Sequence, residues 1–509
     1  MNANLCELLR ERAAKNPGRT ALIHRGVSVT YGELTRRVER RAGALARYGV
    51  KKGDRVVIFV PMSTALYEIL FSVFSLGAVA VFIDAWADAA RLDYAARLAE
   101  AKAFVGIPKA WLLFLKSRAM RQIPVKLFPG FGKGSAYESA SPAFCAEDDP
   151  ALVTFTTGST GVPKAALRTC GFLMAQHRAL KDFLGVGEGD VDMATLPIFS
   201  LNNLACGATT LIPDFNPARP ADFDPVKIAG EAAAAGVTTT AGSPAFYKKL
   251  SEAARETNPI PTLRKIFVGG AAVFPEFAEE LSAAFSGAAV SAVYGSTEAE
   301  PIAAIAADEL AASDCADGVP AGEVSAFIEL RVVRFDAVLR HEMKEEEWSA
   351  AQAAPGEAGE ICVAGGHVLK TYYRNPEAEK ENKIKVGGKI FHRTGDAGRL
   401  VGGRLFLLGR ASRVFTTQGG AKAYPALIER ELLKLDSSTA GTLVRGRDGR
   451  AVLILESADP EAARAEALSL DRPRVPYDEI RVVARIPRDP RHASKIDYNA
   501  LAEQILSEN

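Results

Sequence analysis

Hydrophobic and polar positions along the chain alternate between two periods. Leu5 to Lys15 has the pattern of an amphipathic helix. Ala21–His24 and Val27–Thr30 predict a short strand pair, and Tyr31-Gly-Glu-Leu34 opens the next helix. Asp54–Val60 predicts a buried strand, entered through a turn at Gly53. The longest apolar run, Ile69–Ile83, is bracketed by Glu68 and Asp84. It is shorter than the roughly 20 residues a membrane-spanning helix needs, so it predicts a buried helix running into a buried strand. Leu152–Thr156, Thr239–Ala241, Lys265–Val268 and Ala289–Val293 are further short buried strands, each followed by small or polar residues. Strands alternating with long helices predict layered α/β structure around a mostly parallel sheet, whose strand ends collect ligands. Residues 356–408 place Gly-rich turns between short strands, as in a β-rich subdomain. The Ala-rich stretches Glu231–Gly236 and Ala303–Ala312 read as helix filler.

Length divides this pattern. A chain of 509 residues exceeds one compact domain, and the texture changes after Gly409-Arg410. Pro425–Leu435 predicts a helix, Ala440–Val444 and Ala451–Leu455 strands, and Asp459–Leu468 another helix. The expected organisation is a large α/β domain over 1–410 and a small α+β domain over 411–509. With 48% hydrophobic and 24% charged residues and a formal net charge of +1, the chain reads as a globular protein with a sizeable core. Nothing in that balance points to nucleic acid or an anionic membrane. The cysteines at 6, 145, 170, 206, 315 and 362 form no Cys-x-x-Cys pair and no zinc site. They are expected to be reduced thiols of a cytoplasmic protein. The first twenty residues lack the apolar core of a signal peptide. Oligomeric state is not legible.

The strongest chemical signal is Thr156-Thr-Gly-Ser-Thr-Gly-Val-Pro-Lys164, which follows a buried strand. Gly158 and Gly161 let backbone approach a polyphosphate closely. Consecutive amides, with the hydroxyls of Thr157, Ser159 and Thr160, can surround phosphate oxygens, and Lys164 adds a positive charge. Pro163 before the lysine and Ala165 after it exclude the Walker A pattern.

This loop resembles the phosphate loop of the acyl-adenylate-forming (AMP-binding) superfamily, which includes acyl-CoA synthetases, and further motifs follow in that family's order. In Tyr294-Gly-Ser-Thr-Glu298, the ring offers a face for adenine, Thr297 a hydroxyl near phosphate, and Glu298 a hard oxygen ligand for Mg²⁺. In Arg393-Thr-Gly-Asp396, the carboxylate suits the two ribose hydroxyls, and Arg410 can reach a phosphate or ribose oxygen. In Pro487-Arg-Asp-Pro-Arg-His-Ala-Ser-Lys495, the lysine matches the family's catalytic lysine, although Ser494 stands where glycine is usual. The resemblance thus implies Lys495, Glu298, Thr157 and Lys164 as catalytic, with Glu298 and Thr157 also holding the metal. It implies Thr156, Gly158, Ser159, Thr160, Gly161, Gly270, Tyr294, Gly295, Ser296, Thr297, Asp396 and Arg410 as nucleotide-binding. ATP and Mg²⁺ are the expected co-substrate and ion, with CoA as one acceptor the family uses. The small domain is expected to be mobile, carrying Lys495 to and from the cleft.

The implied reaction is attack of a carboxylate on the α-phosphorus of ATP, releasing pyrophosphate, then transfer from acyl-AMP to an acceptor. A hydrophobic, fatty-type acid ligated to CoA is the leading expectation. Two departures weaken CoA ligation. Ser200 follows Leu196-Pro-Ile-Phe199 where CoA ligases commonly carry histidine, and Ser412 occupies a hinge position that is usually Asp or Lys. Pro213–Pro220, Gly242–Ala245 and Arg488–His492 resemble the olefin β-lactone synthetase branch, in which a β-hydroxyl displaces AMP intramolecularly. A non-catalytic binding protein is a third reading; joint retention of Lys164, Glu298, Asp396, Arg410 and Lys495 argues against it. Phe199, Ser243 and Gly269–Ala271 are candidates for the acyl pocket.

Overall fold

The computed structural model describes residues 2–83, 89–114, 116–132, 140–157, 163–217, 219–254, 259–446, 448–472, 474–488 and 496–507. Of the residues singled out above, Asp84, Gly158, Ser159, Thr160, Gly161, Val162, Ala218, Asp489–Ser494 and Lys495 lie outside this set, as do the side chains of Thr156, Thr157 and Pro163.

Two large sheets carry the fold. In the first, Thr20–His24, Thr209–Ile212, Val191–Ala194, Thr239–Gly242, Lys265–Gly269 and Ala289–Ser296 lie side by side and parallel. The same sheet continues through Ala299–Ala306, Val319–Val324, Arg404–Arg410, Lys389–Val401, Gly359–Ala364 and Glu329–Val333, all antiparallel. The expected parallel sheet is therefore its first half, where helices cross between strands. The β-rich segment supplies three of the six strands of the second half, Gly359–Ala364, Lys389–Val401 and Arg404–Arg410, and the other three precede it in the chain. The second sheet places Val125–Leu127, Ala103–Gly106, Arg55–Phe59, Val79–Phe82 and Pro150–Thr157 in parallel, with Pro163–Thr169 returning antiparallel.

The apolar run resolves as expected into the buried helix Thr64–Ser75 and the strand Val79–Phe82. Leu5–Lys15 is a helix capped by the Asn4 side chain. One Ala-rich stretch departs from expectation. Ala303–Ala306 belongs to the strand Ala299–Ala306, and only Ala307–Ala311 is helical. Ala303 pairs with Tyr294 on one side and Val324 on the other, so sheet pairing overrides alanine's helix propensity.

Beyond the large sheets, Ala440–Arg445, Ala451–Glu456 and Glu479–Val483 form a three-stranded sheet. Its strands pack with helices Pro425–Leu432 and Pro460–Leu468 in a core built on Ile428, Leu443, Leu453 and Ala463. Arg430 links this unit to helix Pro275–Ala284 and to the loop after helix Ala307–Ala311, its Nη1 donating to Asp314 O at 2.8 Å and its Nη2 facing Glu276 at 3.1 Å. All six cysteines are free and buried. Among the described residues, no helix is long and apolar enough to cross a membrane.

Candidate active site

The three described motifs each sit on an antiparallel hairpin, where a strand can deliver a side chain and return. In the first, Thr156 pairs with Lys164 and Thr157 with Pro163, so the glycine-rich residues between them connect two paired strands. In the second, strand Ala289–Ser296 turns at Thr297-Glu298 into Ala299–Ala306. This is where the large sheet changes from parallel to antiparallel. In the third, Asp396 lies directly opposite Arg410. Gly395 adopts φ +71° at a bulge inside the strand Lys389–Val401, a left-handed conformation that glycine accommodates without strain, and Gly409 adopts φ +104°. A Cβ on Gly409 would approach Ala426 N to 2.9 Å.

One cleft of about 1680 Å³ brings these hairpins together. Lys164, Gly270, Tyr294–Glu298, Asp396 and Arg410 all line it. So do Arg488, Ile496 and Tyr498, which flank the segment carrying Lys495. The base of that segment is closed by an Arg488–Ile496 bridge and by Asp497 N donating to Pro487 O at 2.9 Å. Tyr498 is fixed in turn by Glu429, by Thr442 at 3.1 Å and by the Arg413 guanidinium, 4.6 Å from its ring centroid. Of the acyl-pocket candidates, Ala271 lines the cleft beside Gly270. Phe199 packs in a buried cluster with Phe267, and Ser243 caps helix Pro244–Leu250.

Within the cleft, Asp396 is held from two sides. Tyr294 Oη donates to its Oδ2 at 2.9 Å, and Arg410 Nη1 lies 3.1 Å from Oδ1. Each carboxylate oxygen keeps lone pairs for further donors. Burial, followed by the Asp396 charge, holds the Tyr294 phenol well above its ordinary pKa, so it stays protonated and donates.

In the same cleft, Glu298 accepts from Tyr372 Oη at 3.1 Å, and its carbonyl accepts from Leu369 N at 2.7 Å. Lys164, 8% exposed, reaches Glu381 Oε2 at 3.5 Å. Arg168 is buried beneath the turn, donating to Thr297 O at 2.7 Å and to Thr154 Oγ1 at 2.6 Å. Burial brings its pKa down to about 10, against the pull of Glu298 and Glu300. Lys383 is 1% exposed and donates to Leu369 O. Burial lowers its pKa to about 7, with Glu298 and Glu379 opposing and Lys164 adding to the fall.

Sequence motifs did not mark Tyr372, Arg168, Glu381 or Lys383. Tyr372 lies in Thr371-Tyr-Tyr-Arg-Asn-Pro376, which carries no signal for its contact with a residue 74 positions away. Ser200, at the place where histidine was missed, is buried in helix Pro197–Cys206. The same helix carries Asn202, whose Oδ1 meets His177 Nδ1 at 2.9 Å.

Similarity to known proteins agrees with this geometry. The family of AMP-binding enzymes matches residues 9–373. An olefin beta-lactone synthetase of Stenotrophomonas maltophilia is 33% identical over 98% of this chain and 97% of its own. A feruloyl-CoA synthase of an Amycolatopsis species is 28% identical over 92% and 89%. The fold matches O-succinylbenzoate coenzyme A synthetase of Bacillus subtilis, solved in complex with ATP and magnesium ion, at a TM-score of 0.80 and 23% identity over 97% of this chain and 98% of that one. The chain therefore belongs to the AMP-binding enzyme family and is an ATP-dependent acid ligase of the acyl-AMP-forming kind.

Proposed function

We propose that this enzyme adenylates a hydrophobic β-hydroxy acid and closes the acyl-AMP to a β-lactone. In the first step, a carboxylate oxygen attacks the α-phosphorus of ATP and pyrophosphate leaves. In the second, the β-hydroxyl oxygen attacks the acyl carbon and the bond from that carbon to the AMP oxygen breaks. AMP departs, and the hydroxyl proton is lost. No nucleophilic side chain is needed, since positioning and charge neutralisation supply the catalysis.

The observation that carries the first step is the convergence of Lys164, Glu298, Asp396 and Arg410 on one cleft. In this reading, Asp396 takes the ribose hydroxyls, steadied by Tyr294 and Arg410. Thr156 through Gly161 and Lys164 enclose the β- and γ-phosphates. Lys495 offsets the charge that grows at the α-phosphate, and residues 411–509 act as the lid that brings it in. Mg²⁺ suits this site. Among the described residues, no group of three His, Cys, Asp or Glu could hold a metal alone. Mg²⁺ characteristically binds through one or two carboxylates together with substrate phosphates. Glu298 lines the cleft and accepts one hydrogen bond, from Tyr372, on Oε1, leaving acceptor capacity for the ion. Bound there, Mg²⁺ would neutralise phosphate charge.

The second step rests on similarity to the olefin beta-lactone synthetase over nearly the whole of both chains, and on Ser200 standing in place of the histidine common in CoA ligases. Similarity to feruloyl-CoA synthase supports a second reading, with CoA as acceptor.

One assay separates these readings: protein, ATP and a panel of acids, with and without CoA. The expected result is pyrophosphate release that requires acid, with AMP released from a long-chain β-hydroxy acid in the absence of CoA. A thioester formed from simple fatty acids would move the assignment to CoA ligation, and no pyrophosphate with any acid would sink both. In the same assay, Lys495→Ala is expected to abolish adenylation while ATP still binds. Acyl-AMP formed at the normal rate by that variant would remove Lys495 from the reaction.

A further inference from the structure

Lys383 is a buried lysine that the proposed reaction does not use. It opens the strand Lys383–Val386, at 1% exposure. An ammonium group loses its hydration there, and an aliphatic side chain of similar length would pack without that cost.

Its two contacts lead to the same place. The first is with Leu369, whose carbonyl accepts from Lys383 Nζ. The amide of that same residue donates to the carbonyl of Glu298 at 2.7 Å. The second is with Tyr372, whose ring centroid lies 5.1 Å from Lys383 Nζ. The hydroxyl of that tyrosine donates to Glu298 Oε1 at 3.1 Å. One arm thus reaches the Glu298 backbone and the other its carboxylate.

The same segment also grips the phosphate strand. Tyr373 N donates to Ala165 O at 2.7 Å, and Ala166 bridges to Tyr372. Lys164 Nζ stands 5.8 Å from the Tyr372 ring centroid. Residues 369–373 therefore join the strand carrying Lys164 to the turn carrying Glu298, and Lys383 braces this joint from beneath. Glu379, accepting from Tyr372 N at 3.2 Å, holds it from the other side.

We propose that Lys383 is a positioning residue that, through Leu369 and Tyr372, aims the Glu298 carboxylate at the metal that accompanies the triphosphate. The proposal rests on the nucleotide reading of the cleft. It predicts a defect in metal use rather than a general loss of activity.

The test is binding of a fluorescent ATP analogue, titrated with Mg²⁺, in wild type, Lys383→Met, Lys383→Arg and Tyr372→Phe, with melting temperature measured in parallel. The expected result is about a tenfold rise in the Mg²⁺ concentration at half-saturation for Lys383→Met, and partial restoration by Lys383→Arg. Tyr372→Phe should shift the same curve, and the double variant should show less than the product of the two single effects, because both act on one carboxylate. An unchanged Mg²⁺ curve with a lowered melting temperature would make Lys383 merely structural and overturn the proposal. Wild-type binding that ignores Mg²⁺ would overturn it too. If Lys383→Met fails to fold, Tyr372→Phe alone decides: an unshifted curve rejects the proposal. Because the readout is binding, a wild type that binds MgATP but releases no pyrophosphate with any acid counts against the proposed reaction and leaves this result standing.

Discussion

At the proposed ribose end of the cleft, Asp396 is held by a residue directly across a hairpin, Arg410, and by one tyrosine from the neighbouring motif. At the proposed phosphate end, Glu298 depends on Tyr372 and Leu369, which depend on Lys383 and Glu379. The first end is a shallow arrangement whose partners are themselves ligand-facing. The second is layered: Glu298 is backed by Tyr372 and Leu369, and these in turn by the buried Lys383 and the half-buried Glu379. The difference matches the chemistry proposed for each end. A ribose is neutral and needs only to be gripped, whereas a triphosphate with its metal concentrates charge and needs carboxylate and lysine held apart at fixed distance.

The comparison predicts unequal losses, and Glu298→Gln should give the largest. The substitution keeps the shape and the hydrogen-bonding reach of the side chain and removes the charge that would bind Mg²⁺. Acid-dependent pyrophosphate release should fall about a hundredfold or more, corresponding to roughly 3 kcal/mol of lost transition-state stabilisation. A loss of less than about fivefold would mean that the layered end does not hold the metal, and the contrast between the two ends would collapse.

The two ends also differ in how they are written in the sequence. Tyr294-Gly-Ser-Thr-Glu298 and Arg393-Thr-Gly-Asp396 could be read directly, because turn residues and ligand-facing residues are contiguous and the backbone geometry is local. Gly395 and Gly409, with positive φ, mark irregularities in the paired strands in the same local way. The strands ending at the cleft were legible for the same reason: Lys265–Gly269 and Ala289–Ser296 are apolar runs stopped by small residues. The backing shell was not. Lys164 meets Glu381 across 217 positions, and no pattern within a few residues of either records that contact. Lys383 reads as one lysine among several in Lys380-Glu-Asn-Lys-Ile-Lys385, and only the fold shows it to be buried. Ala303–Ala306 failed for a related reason, since its state is set by strands on both sides rather than by its own composition.

Asp396→Asn tests the shallow end and should cost less. Replacing a charged acceptor weakens hydrogen bonds worth about 1.5–3 kcal/mol, roughly ten- to a hundredfold. If the ribose is gripped equally in the ground and transition states, the loss appears as a raised KM for ATP with kcat nearly unchanged. A fall in kcat with KM unchanged would assign Asp396 to the chemical step and make the two ends alike.

The smallest effect separates two roles that share one side chain. Tyr294 presents a ring to the cleft and a hydroxyl to Asp396. Tyr294→Phe deletes only the hydroxyl. Asp396 would keep Arg410 at 3.1 Å, and it stays only partly buried, so no acceptor is stranded. The expected cost is that of one hydrogen bond, about 0.5–1.5 kcal/mol, or roughly two- to tenfold in KM for ATP. Tyr294→Leu removes the ring as well. If adenine stacks on it, Leu should lose a further ~0.5–1.5 kcal/mol beyond Phe. Equal losses for Phe and Leu would leave Tyr294 as a prop for Asp396 and take adenine off its face. No loss for Phe but a clear one for Leu would make Arg410 alone the support of Asp396, so that this end of the cleft would be even shallower than its hydrogen bonds suggest.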